Sequence, residues 1–185
     1  MSEHWSAVFL DRDGTINAKA PEGAYVERPE DLILLDGAGT AIQRLTRLGV
    51  PVVVVTNQRG IARGRMTREG VARIHDRLRS LLQPFDAAVL DFFVCPHERA
   101  SCTCRKPAPG LLFRARTAHP WIDLRRTVVV GDSSSDVMAG RRAGTRAVRL
   151  ASTPDPLADV TVSDLEGAVN WIIGHAPAAA SQRQA

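Results

Sequence analysis

The stretch Phe9-Leu10-Asp11-Arg12-Asp13-Gly14-Thr15-Ile16-Asn17 decides how this chain folds. An apolar run, Ala7-Val8-Phe9-Leu10, stops abruptly at two acids spaced i, i+2. Alternate residues of a strand share a face, so both carboxylates point the same way at the strand's carboxyl end. Their repulsion calls for a cation between them. Gly14 permits a sharp turn, and Thr15 can cap the segment after it. Paired carboxylates of this kind suit Mg²⁺ together with a phosphate ester. The plain alternative is an Asp-Gly turn after an edge strand, with both acids solvated. Three later stretches weigh against it.

Outward from this turn, strands alternate with helices. Pro51-Val52-Val53-Val54-Val55-Thr56 and Arg126-Thr127-Val128-Val129-Val130-Gly131 are continuous β-branched runs, as in parallel strands buried on both faces. A third strand is expected over residues 88–94, and short ones at 147–150 and 160–162. Ala38, Ala41, Ile42, Leu45 and Leu48 repeat at helical spacing after Asp36-Gly37. Thr67 caps a second helix, whose stripe of Val71, Ile74, Leu78, Leu81 and Leu82 includes His75, read as a core histidine. Further helices are expected from Gly110, from Asp136 to Ala143, and from a cap at Ser163 or Asp164. Residues 25–35 read as a surface flap with one small strand. This alternation predicts an α/β fold, a Rossmann-like parallel sheet sandwiched by helices, with right-handed crossovers. A single domain is expected over residues 1–175, followed by an Ala-, Ser- and Gln-rich tail at 176–185 expected to be disordered.

Composition narrows the function. The 185 residues suffice for one core, and 44% hydrophobic with 24% charged is ordinary for a soluble chain. No apolar run reaches membrane-spanning length. Met1-Ser2-Glu3-His4-Trp5 has neither a basic opening nor a long apolar stretch, so no signal peptide is expected and the expected address is the cytoplasm. The net charge of +4 favours anionic ligands, but the basic residues are scattered and aromatics are only 5%, so a nucleic-acid surface is not indicated. Three cysteines crowded into one segment are no disulfide framework.

In parallel sheets, ligands bind at the carboxyl ends of the strands, where Asp11, Thr56 and Asp132 all fall. In Thr56-Asn57-Gln58 a hydroxyl and a turn of backbone N–H groups suit a phosphate oxygen, although an ordinary turn cap is equally compatible. Lys106 of Arg105-Lys106-Pro107 can neutralise a nucleophile and a phosphoryl group. Gly131-Asp132-Ser133-Ser134-Ser135-Asp136 puts two acids around a strand end, in the manner of a metal site; Asp136 also reads as a plain N-terminal helix charge. Cys95, His97, Cys102 and Cys104 place three thiols and an imidazole within ten residues. Four such ligands fill a tetrahedral zinc site without an open position, which makes it structural.

Together these stretches resemble the haloacid dehalogenase superfamily of phosphohydrolases, over nearly the whole chain to about Trp171. Within it the signatures Phe9 to Asn17, Val55-Thr56-Asn57-Gln58 with Gly60-Ile61-Ala62-Arg63-Gly64, Cys104-Arg105-Lys106-Pro107 and the zinc ligand set are similar to the histidinol-phosphate and heptose-bisphosphate phosphatase branch. The resemblance implies that Asp11 attacks phosphorus and forms an aspartyl-phosphate, while Asp13 protonates the leaving oxygen and then deprotonates water. It implies Mg²⁺ on the carboxylates of Asp11 and Asp132 and on the backbone carbonyl of Asp13. Thr56 and Lys106 would hold the phosphoryl group, Asn57 would orient it, and Arg105 would recognise the rest of the substrate.

Little sequence separates these motifs, so no cap domain is expected, and specificity falls to loops: residues 22–25 with Tyr25, residues 58–65 with Gln58 and Arg59, and the zinc loop. The flap and the glycine loop resemble the D-glycero-D-manno-heptose 1,7-bisphosphate 7-phosphatases. The short zinc loop is closer to the histidinol-phosphatase type, Ser133 replaces a frequent Lys, and residues 18–24 are longer than usual. A phospho-Asp receiver module, the non-enzyme alternative, would carry its acceptor Asp after the third strand, where this chain has Cys95. A monomer acting on a small phosphorylated sugar is expected.

Overall fold

Residue phase along the central strands builds two cores. In the computed structural model, which describes residues 5–177, β1 (Ala7–Leu10), β2 (Val52–Asn57) and β4 (Thr127–Gly131) lie side by side. Val8, Leu10, Val52, Val54, Val128 and Val130 face one layer, with Ile42, Leu45, Ile74, Leu78 and Val169. Ala7, Phe9, Val53, Val55 and Val129 face the other, with Leu111, Leu112, Ala115 and Ala139. Period-two alternation with both faces apolar is what a covered parallel sheet requires.

The first layer consists of α1 (Ala38–Arg47), α2 (Arg68–Leu82) and α5 (Leu165–Gly174). The second is α3 (Gly110–Ala118) and α4 (Ser134–Ala143). With β3 (Asp91–Cys95), β5 (Arg146–Leu150) and β6 (Val160–Val162), the sheet runs β3-β2-β1-β4-β5-β6, all parallel. The strand order reverses at β1, which is where such sheets open a crevice at their carboxyl ends. Leu10 pairs with both Val54 and Val130, so Asp11, Thr56 and Asp132 emerge at nearly one level. Among the described residues no second sheet is inserted between the strands, and no helix is long and apolar enough to cross a membrane.

Three expectations need correction. The third strand starts at Asp91 rather than at 88, because Ala88 donates its N–H to Thr46 Oγ1 before ladder pairing begins at Asp91 opposite Val53. α4 begins two residues early, because Ser133 and Asp136 form a reciprocal capping box. The flap is anchored: Val26 and Leu32 are buried in the first core, a short 3₁₀ turn spans Pro29–Asp31, and the small strand reduces to one bridge between Leu34 and Asn17. Residues 1–4 and 178–185, and with them most of the expected tail, lie outside the described residues.

His75 is a core residue, 5% exposed, stacked on Phe92 with ring centroids 4.2 Å apart. Burial first, and then the Arg12 guanidinium, push its pKa down from 6.5 to about 3. Its neutral form is therefore favoured in the folded state. The stability this confers is full above pH about 6.5 and is lost as the pH falls towards 3. At about pH 4.5 the loss is roughly 2–3 kcal/mol. Urea unfolding at neutral pH and at about pH 4.5 should show a smaller acid-induced drop for His75→Phe, which keeps the stack, than for the native chain.

Candidate active site

The turn after β1 is closed by its own backbone. Arg12 carbonyl accepts from the N–H groups of Thr15, Ile16 and Asn17, and Gly14 N–H donates to Asn17 carbonyl at 2.7 Å. Gly14 has φ +87°, and a Cβ there would strike the Asp132 carboxylate. The turn thereby brings the end of β1 against the end of β4.

Asp11 sits at the floor of a cavity of about 180 Å³ lined also by Asp13, Lys19, Thr56, Asn57, Lys106 and Asp132. Lys106, 4% exposed, donates Nζ to Asp11 Oδ1 (2.7 Å) and Val55 carbonyl (2.7 Å), and pairs with Asp136 Oδ1 at 2.6 Å. Burial opposes the ammonium charge, yet the two carboxylates hold the lysine pKa above its usual value. Burial raises Asp11 to about 7 against the pull of Lys106, and Asp136 adds to the rise.

Asp13 belongs to a different network. Its carboxylate accepts from Arg12 Nε (3.2 Å) and Nη2 (2.9 Å to each oxygen), Asn17 Nδ2 (2.9 Å) and Gln58 Nε2 (2.8 Å). Burial alone would raise its pKa; the Arg12 charge and the bonds from Asn17 and Gln58 outweigh it, and the net shift is downward.

The expected substrate contacts are partly spent on the protein itself. Asn57 clamps the Lys106 backbone in both directions at 3.1 Å. Gln58, 2% exposed, also donates to Thr56 Oγ1 at 2.8 Å. Tyr25 lines an adjoining cavity of about 240 Å³ that shares Asp13, Lys19 and Asn57 with the first, and its hydroxyl accepts from Arg59 at 3.4 Å. Arg59 and Arg63 both pair with Glu98. Arg105 donates to His97 carbonyl at 3.4 Å.

Among the described residues, two clusters can hold metal. Carboxylate oxygens of Asp11, Asp132 and Asp136 lie within 4.8 Å of one another. Asp136 is committed to Lys106 and to its capping box with Ser133. Asp132 pairs with Lys19 through Oδ2, but its Oδ1 is buried without a hydrogen-bond partner. An orphaned oxygen beside Asp11 fits a hard divalent cation.

In the second cluster, Cys95 Sγ is 3.6 Å from Cys102 Sγ and 3.7 Å from His97 Nδ1; Cys104 Sγ is 3.2 Å from that nitrogen and 3.4 Å from Cys102 Sγ. A tetrahedron with Zn–S of about 2.3 Å and Zn–N of about 2.0 Å has edges of roughly 3.5–3.8 Å, so the four donors already stand near its corners. Burial and the neighbouring sulfurs push the Cys104 thiol up to about 12, a cost that a central cation would reverse. The loop packs tightly on the start of α3, where a Cβ at Gly110 would meet Thr103 carbonyl.

Arg12, Asn17 and Lys19 were not expected in the site, and Asp136 was expected there only as a possible metal-site acid. Arg12 carried a usable signal, since the strand phase of Leu10 continues through it into the buried layer. Lys19 carried none. Lys106→Met should destabilise the fold by roughly 3–5 kcal/mol, because it strands two buried carboxylates. Adding Asp136→Asn should restore part of the loss in urea unfolding.

A profile of haloacid dehalogenase-like hydrolases matches residues 5–144. The chain is 35% identical to a D-glycero-α-D-manno-heptose-1,7-bisphosphate 7-phosphatase from Photorhabdus laumondii, over 83% of this chain and 86% of that protein. It is 33% identical to the β-anomer enzyme of Escherichia coli, over 94% and 91%. A crystal structure of D,D-heptose 1,7-bisphosphate phosphatase from B. bronchiseptica with magnesium and phosphate superposes with a TM-score of 0.82 at 32% identity, covering 92% of this chain and 99% of that one. With its acidic turn after β1, its buried lysine and its six-stranded parallel sheet, the chain belongs to the haloacid dehalogenase-like hydrolases.

Proposed function

We propose that the protein is a phosphatase that removes the 7-phosphate of D-glycero-D-manno-heptose 1,7-bisphosphate through an aspartyl-phosphate on Asp11. The observation that carries this reading is the division of labour between the two acids: Asp11 is paired with a buried ammonium, and Asp13 is fixed apart from it by four donor groups.

In the first step an Asp11 oxygen forms a bond to phosphorus. The bond from phosphorus to the sugar oxygen breaks, its electron pair goes to that oxygen, and Asp13, which must first take up a proton against the downward pull of Arg12, supplies it. In the second step water attacks phosphorus, its proton goes to Asp13, and the electron pair of the broken P–O bond returns to the Asp11 carboxylate. Thr56 keeps its hydroxyl proton free to hold a phosphoryl oxygen, and Lys106, once a phosphoryl oxygen takes over one of its three donors, compensates the charge there away from water. Asn57 acts by fixing the Lys106 backbone, and Gln58 by holding Asp13 and Thr56 in register. The leaving sugar occupies the adjoining cavity beside Tyr25, whose hydroxyl Arg59 touches, and Arg105 would recognise the rest of the substrate. Mg²⁺ on Asp11, Asp132 and the Asp13 carbonyl would add charge neutralisation at the phosphoryl group. Zinc on Cys95, His97, Cys102 and Cys104 would fix the loop that carries Arg105 and Lys106. In this reading the enzyme works as a cytoplasmic monomer.

One observation favours a second substrate, histidinol phosphate. Glu98, in the short loop between His97 and Cys102, pairs with Arg59 and Arg63 and reduces the positive charge available to a second phosphate. Phosphate release with Mg²⁺ should show a large kcat/KM preference for one heptose bisphosphate anomer over histidinol phosphate; the reverse preference transfers the enzyme to the second substrate. Asp11→Asn should lower turnover by roughly three orders of magnitude or more while the protein stays folded, and retained turnover would remove Asp11 as nucleophile. Cys102→Ser should lose zinc by metal analysis and lower kcat roughly 10- to 100-fold through misplacement of Lys106.

A further inference from the structure

Arg12 is completely buried, yet the chemistry above gives it no contact with substrate. It continues the phase of Val8 and Leu10 into the layer that contains α2. A guanidinium there needs acceptors for a planar fork of donors, or its burial is prohibitive. It finds them in two directions. Nε and Nη2 serve both oxygens of Asp13. Nη1 lies 3.4 Å from His75 Nε2. His75 is stacked on Phe92, and the Arg79 guanidinium lies 4.7 Å from the centroid of that same ring.

We propose that Arg12 is the positioning residue for Asp13, and that His75 sets the pose of Arg12 from α2. The inference rests on the reading of Asp13 as acid and base. Asn17 reaches one Asp13 oxygen and Gln58 the other, whereas Arg12 bonds to both and so fixes the plane of the carboxylate. A lysine could carry the charge but not the fork. His75 takes part as an acceptor: beside a buried cation its Nε2 lone pair receives the Nη1 proton, with the ring proton on Nδ1. The packing of α2 against β3 is thereby joined to the orientation of one carboxyl group.

A positioning role predicts a leaving-group signature that simple structural damage does not. Cleavage of a sugar phosphate needs a proton delivered to the departing oxygen, whereas nitrophenolate leaves without one. Single-turnover cleavage of the heptose bisphosphate and the burst of nitrophenolate from p-nitrophenyl phosphate both report breakage of the P–O bond. Arg12→Lys should slow the first roughly 30- to 100-fold, with KM changed less than about threefold, and the second less than about threefold. His75→Phe, which keeps the stack but lacks the acceptor, should give the same pattern at roughly 3- to 10-fold, and His75→Gln should restore most of the rate. If Arg12→Lys does not fold, the two His75 variants carry the test.

Equal losses on both substrates, or no loss on either, overturn the proposal. Asp13→Asn separates the two levels of inference. If it shows the leaving-group pattern and the Arg12 and His75 variants do not, the positioning role falls alone. If Asp13→Asn itself lacks the pattern, the acid–base assignment of Asp13 falls and the positioning role with it.

Discussion

The ammonium of Lys106 is the interaction on which the rest of the site depends. It touches Asp11 after β1, the carbonyl of Val55 in β2 and Asp136 in α4. Each carboxylate alone would be expelled or neutralised in so buried a place. With the lysine among them, two acids remain close together, although burial outweighs the attraction and holds Asp11 up at about 7. Asn57 holds the lysine backbone and the Cys/His loop ends immediately before Arg105, so the ammonium is fixed by groups from both sides of the crevice.

In the proposed reading, specificity and chemistry are separated in space. The floor, where Asp11, Thr56 and Lys106 meet, is held by strands and by bonds internal to the protein. The rim is made of loops: the flap with Tyr25, the basic loop with Arg59 and Arg63, and Glu98 of the thiol loop. Relatives acting on either anomer of the heptose bisphosphate align with this chain at similar identity.

The sheet is legible in the sequence because both of its faces are buried, which leaves continuous β-branched runs at Val52–Asn57 and Thr127–Gly131. Asp11 and Asp132 are legible because each follows an apolar strand run, and Cys95, His97, Cys102 and Cys104 because their spacing is local. Asp136 is only half legible: its position at a helix start is plain, but its partner Lys106 comes from a distant loop. The same holds for the edges of elements. Ala88 belongs to the approach to β3 because of a hydroxyl on α1, and Val26 and Leu32 are core residues because the flap folds back on α2. Pairings across long sequence separations are set by the fold as a whole and leave little local trace. Arg12 lies between the two cases, since its phase is readable and its acceptor on α2 is not.

The central position of β1 bears on how the chain is assembled during synthesis. β1 comes first in chain order among the six strands of the sheet and becomes an inner strand. β2 and β3 can cover one of its edges, and Lys106 arrives soon after them. The other edge stays open until residues 127–131 emerge as β4. Until β4 is made, then, the strand leading to Asp11 carries an unpaired edge, and such edges invite association with other chains. That open edge belongs to the strand that leads into the proposed nucleophile.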